Sequence, residues 1–282
     1  MSATDLRALA ETDVVQPLPS DTVQVVLTSP PFVYVPGTFN TRDIGLVPTP
    51  TGEPSKLRPG FVYRSGGLGR LTAEGESLLA DKLGIKKIFD LRSVEEHSKS
   101  PDPEIAGIDN VWLATSERDA KVDVNNFVDG LGEKGYVKMY FDVLDLYKSN
   151  FRAVLEHIRD HPTEPFLFHC TAGRDRTGVL SGLLMTLAGA DPDTVSLDFL
   201  LSRIGTEPAR EQLLAFAKKE SRIMSTDQPG FHNLANLREV CWNAFLSALD
   251  REYGGFSGYA TKELGFSDED LKVIVENLRT SA

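Results

Sequence analysis

The sequence predicts an α/β fold: a central, mainly parallel sheet of four to five strands flanked by helices, with a helical C-terminal third. Three observations predict it. Between about residues 60 and 190, short apolar runs bounded by Gly, Pro and Ser alternate with longer amphipathic stretches. One run, "PFLFH" (165–169), passes through a short polar loop into the apolar stretch "TGVLSGLLMTLAG" (177–189). Beyond residue 190 the sequence carries helical spacing and no strand-like run.

Taken in order, residues 1–21 read as an N-terminal extension, a short amphipathic piece followed by the "QPLPSD" turn. "TVQVVL" (22–27) has strand composition and is broken by "SPP". Residues 37–45 read as a loop and 48–60 as a turn-rich excursion. "FVYRS" (61–65) is a strand ending at "GGLG", where a turn is favoured over a phosphate cradle because the full dinucleotide fingerprint is missing. Residues 72–84 open with a capping Thr and close on Gly, as a helix does. "IKKIFDLRS" (85–93) is a strand running into a charged loop, and "VWLAT" (111–115) is the next strand. Residues 116–135 form a candidate mobile loop, and two helices fit 136–161. After the 165–169 strand and the 177–189 helix, four helices are expected within 191–203, 207–220, 237–254 and 267–279. Residues 22–282 are expected to form one domain, since no linker or internal repeat divides them.

Composition narrows the function. A net charge of -11 leaves no broad cationic field, which argues against a general nucleic-acid binder. No apolar stretch suits a signal peptide or a membrane-spanning helix, so an intracellular, cytoplasmic protein without integral membrane association is expected. The two cysteines, Cys170 and Cys241, stand far apart, so neither a disulfide framework nor a zinc cluster is expected. His97, His157, His161 and His232 show no metal spacing and are expected at the surface. No metal and no cofactor is called for. Oligomeric state is open.

The chemistry concentrates in "HCTAGRDRTG", between strand and helix. Ligands of open α/β sheets bind beyond the carboxyl ends of the strands. A helix N-terminus there offers unpaired N–H groups and partial positive charge, and a tight turn at Gly173 can aim further amides at an anion. Arg176 can clamp phosphate oxygens through its planar fork. Cys170 opens the loop and faces the same site, a setting that favours a nucleophilic thiolate. The pattern fits attack on a phosphate ester through a covalent cysteinyl-phosphate. Cys241, in "EVCWNAF", reads instead as a core thiol.

"HCTAGRDRTG" resembles the signature loop of the cysteine-dependent protein tyrosine phosphatases, and within them the microbial and fungal HCxxGKDR group. "NTRDIG", "VYRSGGL", "FDLRSVEE" and "REYGGFSGYATKELGFSDEDL" are similar to further segments of that group, so the resemblance runs from about residue 39 to the end. It implies a tyrosine-phosphatase-like fold and phosphomonoester hydrolysis, with phosphotyrosine, phosphoserine, phosphothreonine or phosphoinositide substrates. It also implies Cys170 as nucleophile and Arg176 as phosphoryl ligand. Thr171, Ala172, Gly173, Arg174, Asp175 and Thr177 would complete the phosphate site. His169 would fix the loop, Thr177 would hydrogen-bond the thiolate, and Arg42 with Asp43 would line the pocket mouth or form a loop salt bridge. Arg174 stands where the group has Lys; facing the pocket, it would favour substrates with extra negative charge. Alternatives to a protein or lipid phosphatase are hydrolysis of a small-metabolite phosphate, a catalytically silent phosphate-binding module, and a sulfurtransferase, which fits the Arg-Thr-Gly ending poorly.

The general acid is open among Asp175, Asp90, Asp119 and Asp123, since no WPD tripeptide occurs. The resemblance favours Asp175. Its two flanking arginines favour the ionised form, while a bound phosphate dianion favours the proton. Asp90, at a strand end, is the runner-up. Arg64 and Arg92 read as structural ties.

Overall fold

The computed structural model describes residues 2–53, 55–115, 122–220 and 228–279. Its sheet contains β1 (Arg42–Asp43), β2 (Val62–Ser65), β3 (Lys87–Asp90), β4 (Asp109–Trp112) and β5 (Phe166–His169), in the spatial order β1-β2-β5-β3-β4. Only β1 runs antiparallel to its neighbour; the other pairings are parallel. The fold is therefore α/β with a mainly parallel five-stranded sheet. Strand β5, "FLFH", is buried at all four positions, as a central strand covered on both faces must be. Its register places Ser65, His169 and Asp90 side by side, so three strands end together at one rim.

The helices are α1 (Ala3–Ala10), α2 (Ser20–Leu27), α3 (Ala73–Ser77), α4 (Val94–Lys99), α5 (Glu133–Leu146), α6 (Lys148–Asp160), α7 (Asp175–Leu187), α8 (Pro192–Gly205), α9 (Arg210–Glu220), α10 (Phe231–Ala235), α11 (Glu239–Tyr253), α12 (Gly255–Lys262) and α13 (Asp268–Leu278). One apolar cluster gathers α7 and the C-terminal helices on one side of the sheet; a second, around Leu68, Leu79, Ile88 and Leu167, fills the other. Helix α7 is apolar all round and buried along nearly its whole length, as its sequence predicts for a central core helix.

Several expectations need correction. Residues 22–27 are helical, not a strand. Val23 and Val26 are buried and Val25 is exposed, a helical face rather than a two-residue alternation, and α2 packs on α8. The charged loop after β3 contains α4, started by a capping box in which Ser93 and Glu96 satisfy each other's backbone N–H. The 72–84 helix begins at its Thr72 cap, but its second half, Leu78–Lys82, is a π turn. Residues 1–21, expected as an extension, pack on the main core through Leu6, Ala10, Val14 and Leu18, and the Arg203 guanidinium binds the carbonyls of Thr12 (3.0 Å), Asp13 (3.3 Å) and Gln16 (2.7 Å). His157 is buried, its Nε2 3.0 Å from the Glu164 carbonyl. Of the expected 116–135 loop, residues 116–121, including Asp119, lie outside the described residues; the remainder holds a short 3-10 turn, Val124–Phe127, with Phe127 buried.

Candidate active site

The loop from Cys170 to Arg176 closes over the rim of β2, β5 and β3. Gly173 adopts φ +63°, and a Cβ there would overlap the Ser65 carbonyl, so only glycine fits this close approach without strain. The loop carbonyls are tied back. Asn40 Nδ2 donates to the carbonyls of Ala172 (3.2 Å) and Gly173 (2.8 Å), Arg64 Nη2 donates to that of Gly173 (2.8 Å), and the Gly67 N–H donates to that of Thr171 (3.1 Å). In a trans peptide the carbonyl and the next N–H point in opposite directions. Binding the carbonyls of residues 171–173 therefore turns the N–H groups of 172–174 toward the opposite, concave side. The first N–H groups of α7 add to them, because a helix start leaves them without intrahelical acceptors. Such an arrangement at a helix N-terminus can bind an anion.

Arg176 is oriented before any ligand arrives. Glu96 accepts from its Nη1 (2.6 Å) and Nη2 (2.8 Å), while Nη1 also reaches the Leu91 carbonyl (3.1 Å) and the Tyr147 hydroxyl (3.2 Å). Glu96 also accepts from the Thr171 hydroxyl, pinning the other end of the loop. Burial raises the Glu96 pKa, but Arg176 and these hydrogen bonds more than offset it and hold the carboxyl at about 2. Cys170 is 2% exposed. The Thr177 hydroxyl is buried without a hydrogen-bond partner among the described residues, so a lone polar group stands free in the first turn of α7.

Behind the loop, His169 is fully buried. Its Nε2 lies 2.8 Å from Asp102 Oδ2 and its Nδ1 3.3 Å from the Cys170 carbonyl. Asp90 is closed off: Arg92 binds both its oxygens (2.8 Å each) and His97 Nδ1 lies at 2.9 Å. Burial alone would raise its pKa, but His169, Arg92 and His97 outweigh that and hold Asp90 well below the usual carboxylate range. Asp90, Asp102 and His169 are close enough to suggest a metal cluster, but the cation between the two carboxylates is the Arg92 guanidinium.

Asp175 is the first residue of α7, 29% exposed at its side chain, and accepts from the Tyr140 hydroxyl (3.0 Å). Arg174 does not stand free in the pocket. Its Nη1 and Nη2 donate to the carbonyls of Ala235 (2.9 Å) and Leu234 (3.2 Å), at the end of α10. Asp123 caps the 3-10 turn through the Asn125 N–H. Arg42 is not at the pocket mouth. It is fully buried, with Nε 2.8 Å from Asp198 Oδ1, and Arg64 pairs with the other Asp198 oxygen. Asp43 is also internal, accepting from the N–H groups of Gly45 (2.8 Å) and Gly60 (2.6 Å); burial pushes it up to about 6.

Sequence reasoning gave no role to Asn40, Glu96, Asp102, Tyr140, Tyr147 or Asp198. Glu96 was visible as the last residue of "DLRSVEE", and Asp198 as a lone charge inside the apolar helix "VSLDFLL". The others carry no local signal for the site, because the residues of β5, the loop and α7 that they bind lie 29 or more residues away.

Comparison with known proteins places the chain in a family. The model of the tyrosine phosphatase family matches residues 33–280. A tyrosine-protein phosphatase of Nostoc commune is 30% identical over 219 residues, covering 74% of this chain and 71% of the relative. The triple specificity protein phosphatase PtpB of Mycobacterium tuberculosis is 26% identical over 265 residues, covering 80% of this chain and 91% of that protein. The core catalytic domain of the PP-IP phosphatase SIW14 from S. cerevisiae aligns with 16% identity and a TM-score of 0.33, over 59% of this chain and 93% of that one. With a match spanning nearly the whole sequence, the chain belongs to the tyrosine phosphatase family and is a protein tyrosine phosphatase-like hydrolase.

Proposed function

We propose that this phosphatase works through a covalent cysteinyl-phosphate on Cys170. The observation that carries the proposal is the Cys170–Arg176 loop, whose carbonyls are tied outward and whose arginine is already oriented by Glu96. The thiolate attacks phosphorus, the bond to the ester oxygen breaks, and Asp175 gives its proton to the departing oxygen. Water then attacks the phosphocysteine, the S–P bond breaks, and Asp175 takes up the proton lost by water. Loop amides and Arg176 hold the equatorial oxygens throughout. The unpartnered Thr177 hydroxyl is the donor available to the sulfur as it leaves. Asp175 is preferred to Asp90 as acid because both Asp90 oxygens are bound by Arg92 in a buried setting that holds it ionised, whereas Asp175 has one looser contact to Arg174 (3.5 Å) and is partly open to solvent.

Phosphotyrosine is the proposed substrate class, with phosphoserine and phosphothreonine as further protein substrates. Arg174, the cation best placed to reward a second phosphate, is committed to two backbone carbonyls, which favours a protein monoester over a phosphoinositide. Hydrolysis of p-nitrophenyl phosphate in EDTA tests the mechanism. Wild type should turn over and Cys170→Ser should be inactive, with phosphate trapped on Cys170 in a rapid quench. Activity in Cys170→Ser would sink the assignment. A panel of phosphotyrosyl, phosphoseryl and phosphothreonyl peptides and phosphoinositides at equal concentration tests the substrate class, and a phosphoinositide preference would overturn it.

A further inference from the structure

Four charged side chains meet behind the phosphate loop, each no more than 5% exposed: Asp90, Arg92, Asp102 and His169. Arg92 Nη2 bridges Asp90 (2.8 Å) and Asp102 (2.7 Å). Two carboxylates against one guanidinium leave an uncompensated negative charge in a buried space, which is costly; the other nearby base, His97, touches only Asp90 of the two (2.9 Å) and is 26% exposed. A protonated His169 cancels it. The hydrogen-bond partners require the same state. The Cys170 carbonyl beside Nδ1 can only accept, and so can the arginine-paired Asp102 carboxylate beside Nε2. Both ring nitrogens must then carry hydrogen, so the ring is an imidazolium.

We propose that Asp102 is a positioning residue for the phosphatase reaction: its carboxylate keeps His169 charged, and His169 fixes the Cys170 carbonyl and sets a positive charge beside the thiol. The inference rests on Cys170 being the nucleophile. The charged groups facing His169 are Asp102 from the loop after α4, Asp90 at the end of β3 (3.8 Å), and Arg92 just beyond it. Burial lowers the imidazole pKa, but Asp102, ahead of Asp90, more than compensates and leaves it raised. The other charged groups acting on the loop thiol are Arg174 and Arg176, with Tyr147 nearby. These stay in place when Asp102 changes, so the effect of Asp102 can be isolated.

The experiment measures iodoacetamide alkylation of Cys170 against pH, read by peptide mass spectrometry, in wild type, Asp102→Asn, His169→Gln and the double variant. Asp102→Asn should raise the alkylation midpoint by about one pH unit, His169→Gln should raise it similarly, and the double variant should go no further. An unchanged midpoint in folded Asp102→Asn, or additive shifts in the double variant, would overturn the proposal. Should Asp102→Asn not fold, the wild-type imidazole nitrogen resonances decide. An imidazolium signature for His169 at pH 7 supports the proposal, and a neutral tautomer refutes it. Activity retained in Cys170→Ser would count against the nucleophile assignment alone, since the ring resonances report its charge independently of turnover.

Discussion

Glu96 holds Arg176 through two parallel N–H···O contacts, so the guanidinium presents its fork in one orientation. Glu96→Gln removes the charge and one acceptor while keeping the side chain's shape. The expected result is a loss of about ten- to hundredfold in kcat/KM, because a clamp displaced by a fraction of an ångström loses transition-state contacts; steady-state kinetics with p-nitrophenyl phosphate measures it. Gly173→Ala should cost more. Its φ of +63° and the Ser65 carbonyl beneath it leave the loop no unstrained way to accept a methyl group. Titration with vanadate should show binding weakened by about tenfold or more. For Asp175→Asn, the pH profile of kcat/KM should lose its basic limb; a profile identical to wild type would remove Asp175 from the mechanism. At this scale the sequence was informative about the loop itself and poor about what supports it. The "CTAGRDRTG" run contains its own chemistry, whereas Asp102 and Tyr140 reach the loop only through folding.

Helix α8 meets the first two strands through Asp198, which accepts from Arg42 Nε (2.8 Å), from Arg64 and from the Ser181 hydroxyl (2.7 Å). Burial raises the Asp198 pKa, but Arg42 and Arg64 outweigh it and hold it at about 2. Removing this one acid strands two buried guanidinium groups. Asp198→Ala should therefore destabilise by about 3–5 kcal/mol, read from the urea unfolding midpoint. Arg64 also holds the Gly173 carbonyl, so the same variant should weaken phosphate binding. The pH dependence follows from the sign of the shift. Asp198 and Glu96 are both depressed in the folded state, so their stabilisation is complete above the ordinary carboxylate values of 3.8 and 4.5 and is lost as pH falls toward 2. Chemical denaturation between pH 6 and 3 should show stability declining below about pH 5, with less decline in Glu96→Gln. Element assignment from sequence went wrong at 22–27, where β-branched composition suggested a strand. A helical face of Val23 and Val26 against α8 overrode that propensity. It succeeded at 165–169 and 177–189, where apolar continuity left little choice.

Across the whole molecule, the first twenty residues are fastened to the last third of the chain. Arg7 pairs with Glu239, Val14 N–H donates to Asn236 Oδ1 (2.8 Å), and His232 Nε2 lies 2.6 Å from Asp13. Deleting residues 2–19 would expose the faces that cover Leu6, Ala10, Val14 and Leu18 and leave Arg203 without three carbonyl partners. The expected loss is on the order of several kcal/mol, measurable as a lower urea midpoint and faster proteolysis. Nothing in "MSATDLRALAETD" announces this attachment. An amphipathic stretch says which face will be buried but not by what. Among the described residues no helix is long and apolar enough to cross a membrane.

The strand order has a consequence in time. Among the described residues β5 is the last strand of the sheet in chain order, yet it sits between β2 and β3. β2 and β3 are synthesised about a hundred and about eighty residues before β5, and neither can find its central neighbour until residue 169 is out. Helix α1 waits longer, because α8, on which it packs, and Glu239, which pairs with Arg7, are made later still. The nascent chain therefore carries an unclosed sheet and an amphipathic helix without partners until those segments are made. That is the interval in which holding chaperones would engage it. The phosphate loop, assembled from Asn40, Arg64, Glu96 and residues 169–177, comes into being only after that wait.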